Sequence, residues 1–166
     1  SIQAGGAFKQ FGDLFAGGEI RRQSPSGYNE NSLHLKAMIH LGKGWTLQSN
    51  YQQLYQPDVP VFFKYVFENY KTNTSSPIKR SLGYAILKKK FQNRKWNDLT
   101  FFVSRQRIDE TRKLQKNGST QLRTEQDAAK TIGMGGELKN TFTSFWNAST
   151  GFDIYSDLIN SNRIDQ

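Results

Sequence analysis

Residues 31–56 read NSLHLKAMIHLGKGWTLQSNYQQLYQ. Apolar and polar side chains alternate along this stretch, with a break at Gly42-Lys43-Gly44. A period of two puts Leu33, Leu35, Ala37, Ile39 and Leu41 on one face of a strand. Ser32, His34, Lys36, Met38 and His40 fall on the other. The Gly-Lys-Gly break predicts a tight turn. The return segment then places Trp45, Leu47, Ser49, Tyr51 and Tyr55 on one face, and Thr46, Gln48, Asn50 and Gln52 on the other. Strands of this length with faces so unlike predict a sheet between two media, lipid on one side and a wet lumen on the other. A dry core would not tolerate His34, Lys36, Gln48 and Asn50 unpaired.

The pattern recurs downstream. Residues 79–91 read as a strand with Leu82, Tyr84 and Ile86 on one face. Lys88 and Lys90 fall in phase with these three, so either a bulge shifts the strand or the lysines reach the interface near a turn. After QNRKWN, Leu99, Phe101 and Val103 alternate with Thr100, Phe102 and Ser104. Ile132, Met134 and Leu138 alternate with Thr131, Gly133, Gly135 and Glu137, and TFTSF turns the chain. Trp146, Ala148, Thr150, Phe152 and Ile154 alternate with Asn147, Ser149, Gly151 and Asp153. Residues 2–10 form a weaker, glycine-rich strand. About seven strands result, several longer than the usual five or six residues.

The connections alternate as well. Short turns are predicted near 42–44, 92–97 and 142–145, and long polar connections near 11–31, 56–78 and 109–130. A soluble sandwich has no reason to extend every second loop, whereas an outer-membrane barrel has short turns on one side and long loops on the other. Trp45, Trp96 and Trp146 each lie at or beside a short turn, as expected of an interfacial girdle. The competing reading is that they anchor the closed end of a soluble barrel.

Composition bounds the rest. The chain has 166 residues, no cysteine and a net charge of +9, from 23 basic and 14 acidic residues. The charge raises the weight of an anionic partner to about that of plain loop solvation. The opening SIQAGGAFKQ lacks the basic start and apolar stretch of a signal peptide, and no run of about 18 apolar residues predicts a membrane helix. A membrane barrel leaves no such run.

Several short matches carry a family resemblance. Gly27-Tyr28, Leu35-Lys36, Thr46-Leu47 and Asp58-Val59-Pro60, taken in order, resemble a segment of TonB-dependent outer-membrane receptors. LTFFVSRQRIDETRK and TIGMGGELKNTF followed by WNASTGFDIYSD are similar to later hairpins of those barrels. The matches spread over roughly residues 5–160, and Val61 stands where an arginine often follows the Asp-Val-Pro. The resemblance implies an antiparallel up-and-down transmembrane β-barrel of 22 strands, of which this chain supplies about seven as part of a single barrel domain. It also implies a plug domain and a TonB-binding segment, neither of which is in this chain. We therefore expect an internal arc of a longer receptor in the outer membrane of a Gram-negative bacterium. Implied partners are outer-membrane lipid and lipopolysaccharide, a small-molecule ligand (a ferric siderophore or haem foremost), TonB through another part of the receptor, and in some members a surface lipoprotein.

Candidate ligand contacts lie in two places. Phe62, Phe63, Lys64, Tyr65, Phe67 and Tyr70 crowd an aromatic, basic loop suited to a flat or anionic ligand; the alternative is that the rings belong to an extended strand above the girdle. Arg105 and Arg107 sit in a mixed-charge stretch that pairs across the lumen, contacts lipopolysaccharide phosphates or forms surface ion pairs of modest strength. His34 and His40 share the inward face but stand about 20 Å apart along a strand, too far to ligate one metal. No metal or cofactor is expected. GxSxG, HExxH, Walker and CxxC signatures are missing, so no catalytic residue is named, and no nucleic-acid-binding module frames the scattered basic residues. Two other architectures fit the length: a complete eight-stranded outer-membrane barrel and a soluble lipocalin-like barrel. The second requires an apolar inward face, and here that face carries His, Lys, Gln and Asn.

Overall fold

The computed structural model describes residues 1–19, 21–92, 97–143 and 145–166. The elements in chain order are β1 (Ile2–Phe11), β2 (Leu14–Phe15), β3 (Arg22–Gln23), β4 (Tyr28–Gly42), β5 (Trp45–Gln56), β6 (Val59–Pro60), α1 (Phe62–Phe67), β7 (Tyr70–Lys90), β8 (Asp98–Lys116), β9 (Arg123–Thr143) and β10 (Trp146–Asp165). Seven long strands form one antiparallel sheet in the order β1-β4-β5-β7-β8-β9-β10, and β6 adds to the upper end of β7. The fold is all-β, and the sheet is not closed: β1 and β10 are its two edges.

Register partners share a face, so the ladders assign every side chain. One row runs Ile39, Leu47, Leu87, Phe101, Gly136, Phe152, and the next runs Ile2, Ala37, Ser49, Ala85, Val103, Met134, Ile154. These rows are flanked by Trp45, Leu99 and Leu138 below and by Leu35, Tyr51 and Ile132 above. Together the four rows make an apolar band roughly 25 Å tall, counting about 6.6 Å per row and the side chains at each margin, with Lys89 in its lowest row and Arg105 in its highest. Its residues are open to their surroundings: Ile39 is 50% exposed, Val103 57%, Met134 51% and Ile154 56%. Among the described residues no apolar side chain is buried. The buried side chains are polar ones, Glu30, Asn73 and Ser75.

The opposite face carries the row Gln3, Lys36, Asn50, Tyr84, Ser104, Gly133, Tyr155 and the row Gly5, His34, Gln52, Leu82, Gln106, Thr131, Asp157. The expected faces of β4, β5, β8, β9 and β10 are therefore as the period-two reading has them. Strand β7 is a correction. Its pairing with β5 is unbroken from Ile78 to Lys89, and the nearest bulge lies further up, between Ser75 and Ile78. Leu82, Tyr84 and Ile86 consequently lie on the polar face with Lys88, while the apolar band receives Ala85 and Leu87. The lysines mark the true phase, and the three apolar residues mislead.

The turn at 42–44 forms because Gly42, Lys43 and Gly44 all take positive φ, at 83°, 49° and 79°, the geometry that matches strand twist in a tight hairpin. Gly44 also lies against the Lys90 carbonyl, where a Cβ would collide. The expected turn at 92–97 falls partly on residues outside those described. On the other side, the connection after β1 contains the small β2–β3 hairpin and that after β5 contains β6 and α1. The expected long loop at 109–130 is a correction. Strands β8 and β9 run on to Lys116 and from Arg123, so six residues, 117–122, make the turn. Its polar composition belongs to strands that continue far beyond the apolar band.

Candidate functional site

The polar face encloses a concavity of about 520 Å³ that draws on β1, β4, β5, β7 and β8. His34, Lys36 and Arg80 supply cationic or titratable groups, and Gln3, Asn50, Gln52 and Gln106 supply carboxamides. No carboxylate lines it among the described residues. The His34 ring lies against Gly5, where any Cβ would clash with it, so the missing side chain on β1 creates the room. Asn50 Oδ1 is buried and has no hydrogen-bond partner among the described residues. The arrangement offers donors to an anionic or hydroxyl-rich group.

His34, Lys36 and Asn50 are legible in the sequence as inward residues. Arg80 and Gln106 are not. Arg80 shares the phase of Leu82, so the misread face of β7 sends it outward. The in-phase Lys88 and Lys90 are the signal that corrects this. His40 shares the face with His34, as expected, and its Nδ1 lies 3.2 Å from Thr46 Oγ1.

Above the band the same face is stitched by charge. Arg112 reaches Asp127 at 2.8 Å, Glu125 at 3.7 Å and Glu110 at 3.8 Å. Asp165 pairs with Arg123 at 2.9 Å and Arg163 at 2.8 Å. Hydrogen bonds from Ser161 and then Arg112 hold the Asp127 carboxyl below the usual range. On the far wall Lys9 and Gln56 donate to the buried Glu30 at 3.0 and 2.9 Å. Each exposed pair contributes about 0–1 kcal/mol, so the ladder serves mainly to fix the register of long strands wet on both faces.

While Tyr70 opens strand β7, Phe62, Phe63, Lys64, Tyr65 and Phe67 form the short helix α1, which overturns the extended-strand alternative for them. Its sequence FFKYVF has weak intrinsic helix preference, and Val61 gives no side-chain cap. Tertiary contacts hold it instead. Tyr65 Oη lies 2.8 Å from Thr74 Oγ1 on β7, with a local i,i+4 bond from Lys64 Nζ to Glu68 at 2.6 Å beside it. Lys116 Nζ donates to the Glu68 carbonyl at 3.0 Å and sits 4.4 Å from the Tyr70 ring. Asn69, at φ 56°, ends the helix. The Phe63 and Phe67 rings meet at a tilt of 34° with centroids 5.6 Å apart and remain 52% and 62% exposed, while Phe62 is half-buried.

Arg105 and Arg107 do not join this group. Arg105 pairs with Gly83 and Ile132, and Arg107 with Ser81 and Lys130, all on the face of the apolar band. Of the three tryptophans, Trp45 and Trp146 lie at the short-turn rim on that same face. Lys89 Nζ is 5.2 Å from the Trp45 ring, and the Phe142 and Trp146 rings meet at a tilt of 34° with centroids 5.0 Å apart. Trp96 is outside the described residues.

The connection from β1 to β4 is organised by Asp13, whose Oδ1 accepts from the Ser26 and Gly27 backbone N–H groups at 2.9 Å each, while Arg22 Nε donates to Oδ2 at 3.0 Å. The two backbone bonds hold the Asp13 carboxyl far below its ordinary value of 3.8. A depressed folded-state value means the loop keeps this stabilisation above pH 3.8 and loses it as pH falls further, through the folded value. Hydrogen exchange of Ser26 and Gly27 amides should stay slow from about pH 5 to 7 in the native protein. In Asp13→Asn it should be faster throughout that range.

The fold and this site define an open antiparallel sheet with an apolar band on one face and a polar concavity on the other. No family model, curated protein or solved structure matches the chain.

Proposed function

We propose that the chain is an arc of an outer-membrane β-barrel receptor of the TonB-dependent type. Such a receptor takes up a scarce ligand with energy delivered through TonB, by a part of the protein outside this chain. The observation that carries the reading is the band of exposed Ile, Leu, Val, Met and Phe on one face, with no apolar side chain buried among the described residues. Water would not support that surface, and lipid would. The two unpaired edges, β1 and β10, require further strands of the same barrel to complete their hydrogen bonds in a bilayer. The polar concavity then faces an aqueous lumen, and α1 lies among the outer loops, where ligand contacts concentrate. Its exposed Phe63 and Phe67 favour a flat ligand, a ferric chelate or haem.

The test is mass spectrometry of the outer-membrane fraction of the source bacterium. Peptides of this sequence should appear there, in a product several times larger than the 19.0 kDa of this chain. Recovery from the soluble fraction, or in a native product of about 19.0 kDa, would sink the receptor reading.

A further inference from the structure

A second concavity, of about 330 Å³, opens at the short-turn end of β8, β9 and β10, the opposite end of these strands from α1. Asn97, Asp98, Lys139, Thr141, Asn147 and Ser149 line it. A relay of hydrogen bonds ties its three strands. Asn97 Nδ2 donates to Thr141 Oγ1, and Thr141 Oγ1 donates to Asn147 Oδ1 at 2.6 Å. The relay uses Asn147 as an acceptor and leaves its amide N–H groups for a further partner. Asn140 Oδ1, in the same lining, is buried with no hydrogen-bond partner among the described residues. Charge of both signs stands beside these amides on the polar face. Lys90, Asp98, Lys139 and Ser149 make one row, and Lys88, Thr100 and Glu137 the next. Glu137 engages Lys139 at 3.3 Å and Ser149 at 2.5 Å. Lys88 and Lys90 are exposed, and neither forms an ion pair among the described residues.

We propose that this rim, with Lys88, Lys90, Lys139 and Asn147 at its centre, is a docking site for peptidoglycan, the peptide-bearing glycan of the cell wall. The inference rests on the barrel reading above, which puts the short turns in the periplasm, and it gives that side a partner. The lining decides the chemistry. Carboxamides and hydroxyls in one cluster match sugar hydroxyls and acetamido groups, each of which both donates and accepts. Free lysines match the carboxylates of the wall's peptides, and Asp98 matches their free amine. A lipid headgroup fits less well. These side chains alternate onto the polar face, whereas the margin of the apolar band at this level is aromatic, with Trp45, Phe142 and Trp146. The site spans β7 to β10, about 14 Å across, and three rows, about 13 Å along the strands. That is room for a disaccharide and the first residues of its peptide.

The intact protein, purified in detergent, is sedimented with peptidoglycan sacculi, with sacculi whose peptides an amidase has removed, or with phosphatidylglycerol vesicles. Intact sacculi should retain it at least about tenfold better than either, the difference a few charge-assisted contacts make. The Lys88→Gln/Lys90→Gln/Lys139→Gln variant should lose that preference while still migrating as a folded, heat-modifiable barrel. Lys71→Gln/Lys113→Gln/Lys130→Gln removes the same charge from the other end of the strands and should keep it. If the first variant fails to assemble, Asn147→Ala should show a smaller loss in the same direction. Equal retention by stripped sacculi or vesicles, an unchanged preference in an assembled rim variant, or an equal loss in the distal one overturns the docking site and leaves the barrel standing. A protein that stays in solution without detergent overturns both.

Discussion

Val103→Arg should destabilise the membrane-inserted protein by about 2–4 kcal/mol, the effect of a charge at the bilayer midplane on a barrel's lipid face. Ser104→Arg, one residue on, should stay within about 1 kcal/mol of the parent. The two positions differ by one step along β8, so strand propensity, local sequence and distance from the turns are matched. What changes is the face. Val103 pairs with Ala85 and Met134 inside the apolar band, and Ser104 pairs with Tyr84 and Gly133 on the polar side. In water both would be solvated surface substitutions, and neither would matter much, because Val103 is already 57% exposed. A large asymmetry therefore reports lipid contact directly. The measurement is denaturant unfolding of the intact protein in lipid vesicles, following the shift from folded to unfolded electrophoretic mobility. Equal effects at 103 and 104 would remove the lipid from one face and with it the basis for a membrane barrel.

How much of this is legible in the sequence follows from what period two can and cannot encode. Within a strand, alternation alone fixes the faces, which is why β4 and β5 are readable to the residue and the turn at Gly42 to Gly44 is predicted by its glycines. Lateral position is not in that signal. The concavity depends on Gln3, Lys36, Gln52, Arg80 and Gln106 being brought side by side by the registers of five strands, and no single segment states those registers. β7 shows the failure directly. Both its faces carry large apolar residues, Leu82, Tyr84 and Ile86 on one and Leu87 on the other, so hydrophobicity does not choose between them. The charge of Lys88 does choose, and against the apolar stripe it reads as the anomaly.

Strand ends are misjudged for a related reason. Above the band both faces of β8, β9 and β10 meet water, so residues 109–116 and 123–130 lose the apolar half of the alternation and read as loop. What holds them extended is the backbone ladder to their neighbours, and cross-strand charge, Arg112 with Asp127 and Arg123 with Asp165, helps to fix its register, a pairing visible only once the strands are adjacent. The helix α1 escapes for the opposite reason. Its aromatics have strand preference, and contacts from Thr74 and Lys116, distant in sequence, override it. The candidate ligand residues thus divide: those of α1 lie on one small element with Tyr70 beside it, while Arg105 and Arg107 belong to the face of the apolar band.

The glycines of β9 give the second large effect, with a sign that strand propensity gets wrong. Glycine in a strand interior is ordinarily about 0.5–1 kcal/mol less favourable than alanine, so Gly135→Ala should stabilise if only the backbone mattered. A Cβ at Gly135 would lie 2.6 Å from the Phe152 carbonyl oxygen and 2.5 Å from the Phe102 ring, and would meet the Asp153 carboxylate as well. The ring can swing aside only at the expense of its own packing, and the Phe152 carbonyl is part of the β9–β10 ladder and moves only by loosening it. Gly135→Ala should therefore destabilise by about 1–3 kcal/mol, the range for overpacking a filled site. Gly83 is the control on β7: its Cβ would find Tyr51 Cδ2 at 3.7 Å and the Asn50 carbonyl at 3.9 Å, both ordinary contacts. Gly83→Ala should be neutral or stabilising by up to about 1 kcal/mol. Both variants of the intact protein would be unfolded in the same vesicles as the arginine pair. Opposite signs at the two glycines would establish that β10 lies against β9 with Gly135 opposite Asp153. A stabilising Gly135→Ala would mean that β10 lies elsewhere, since no other strand supplies the Phe152 carbonyl that makes the site too small.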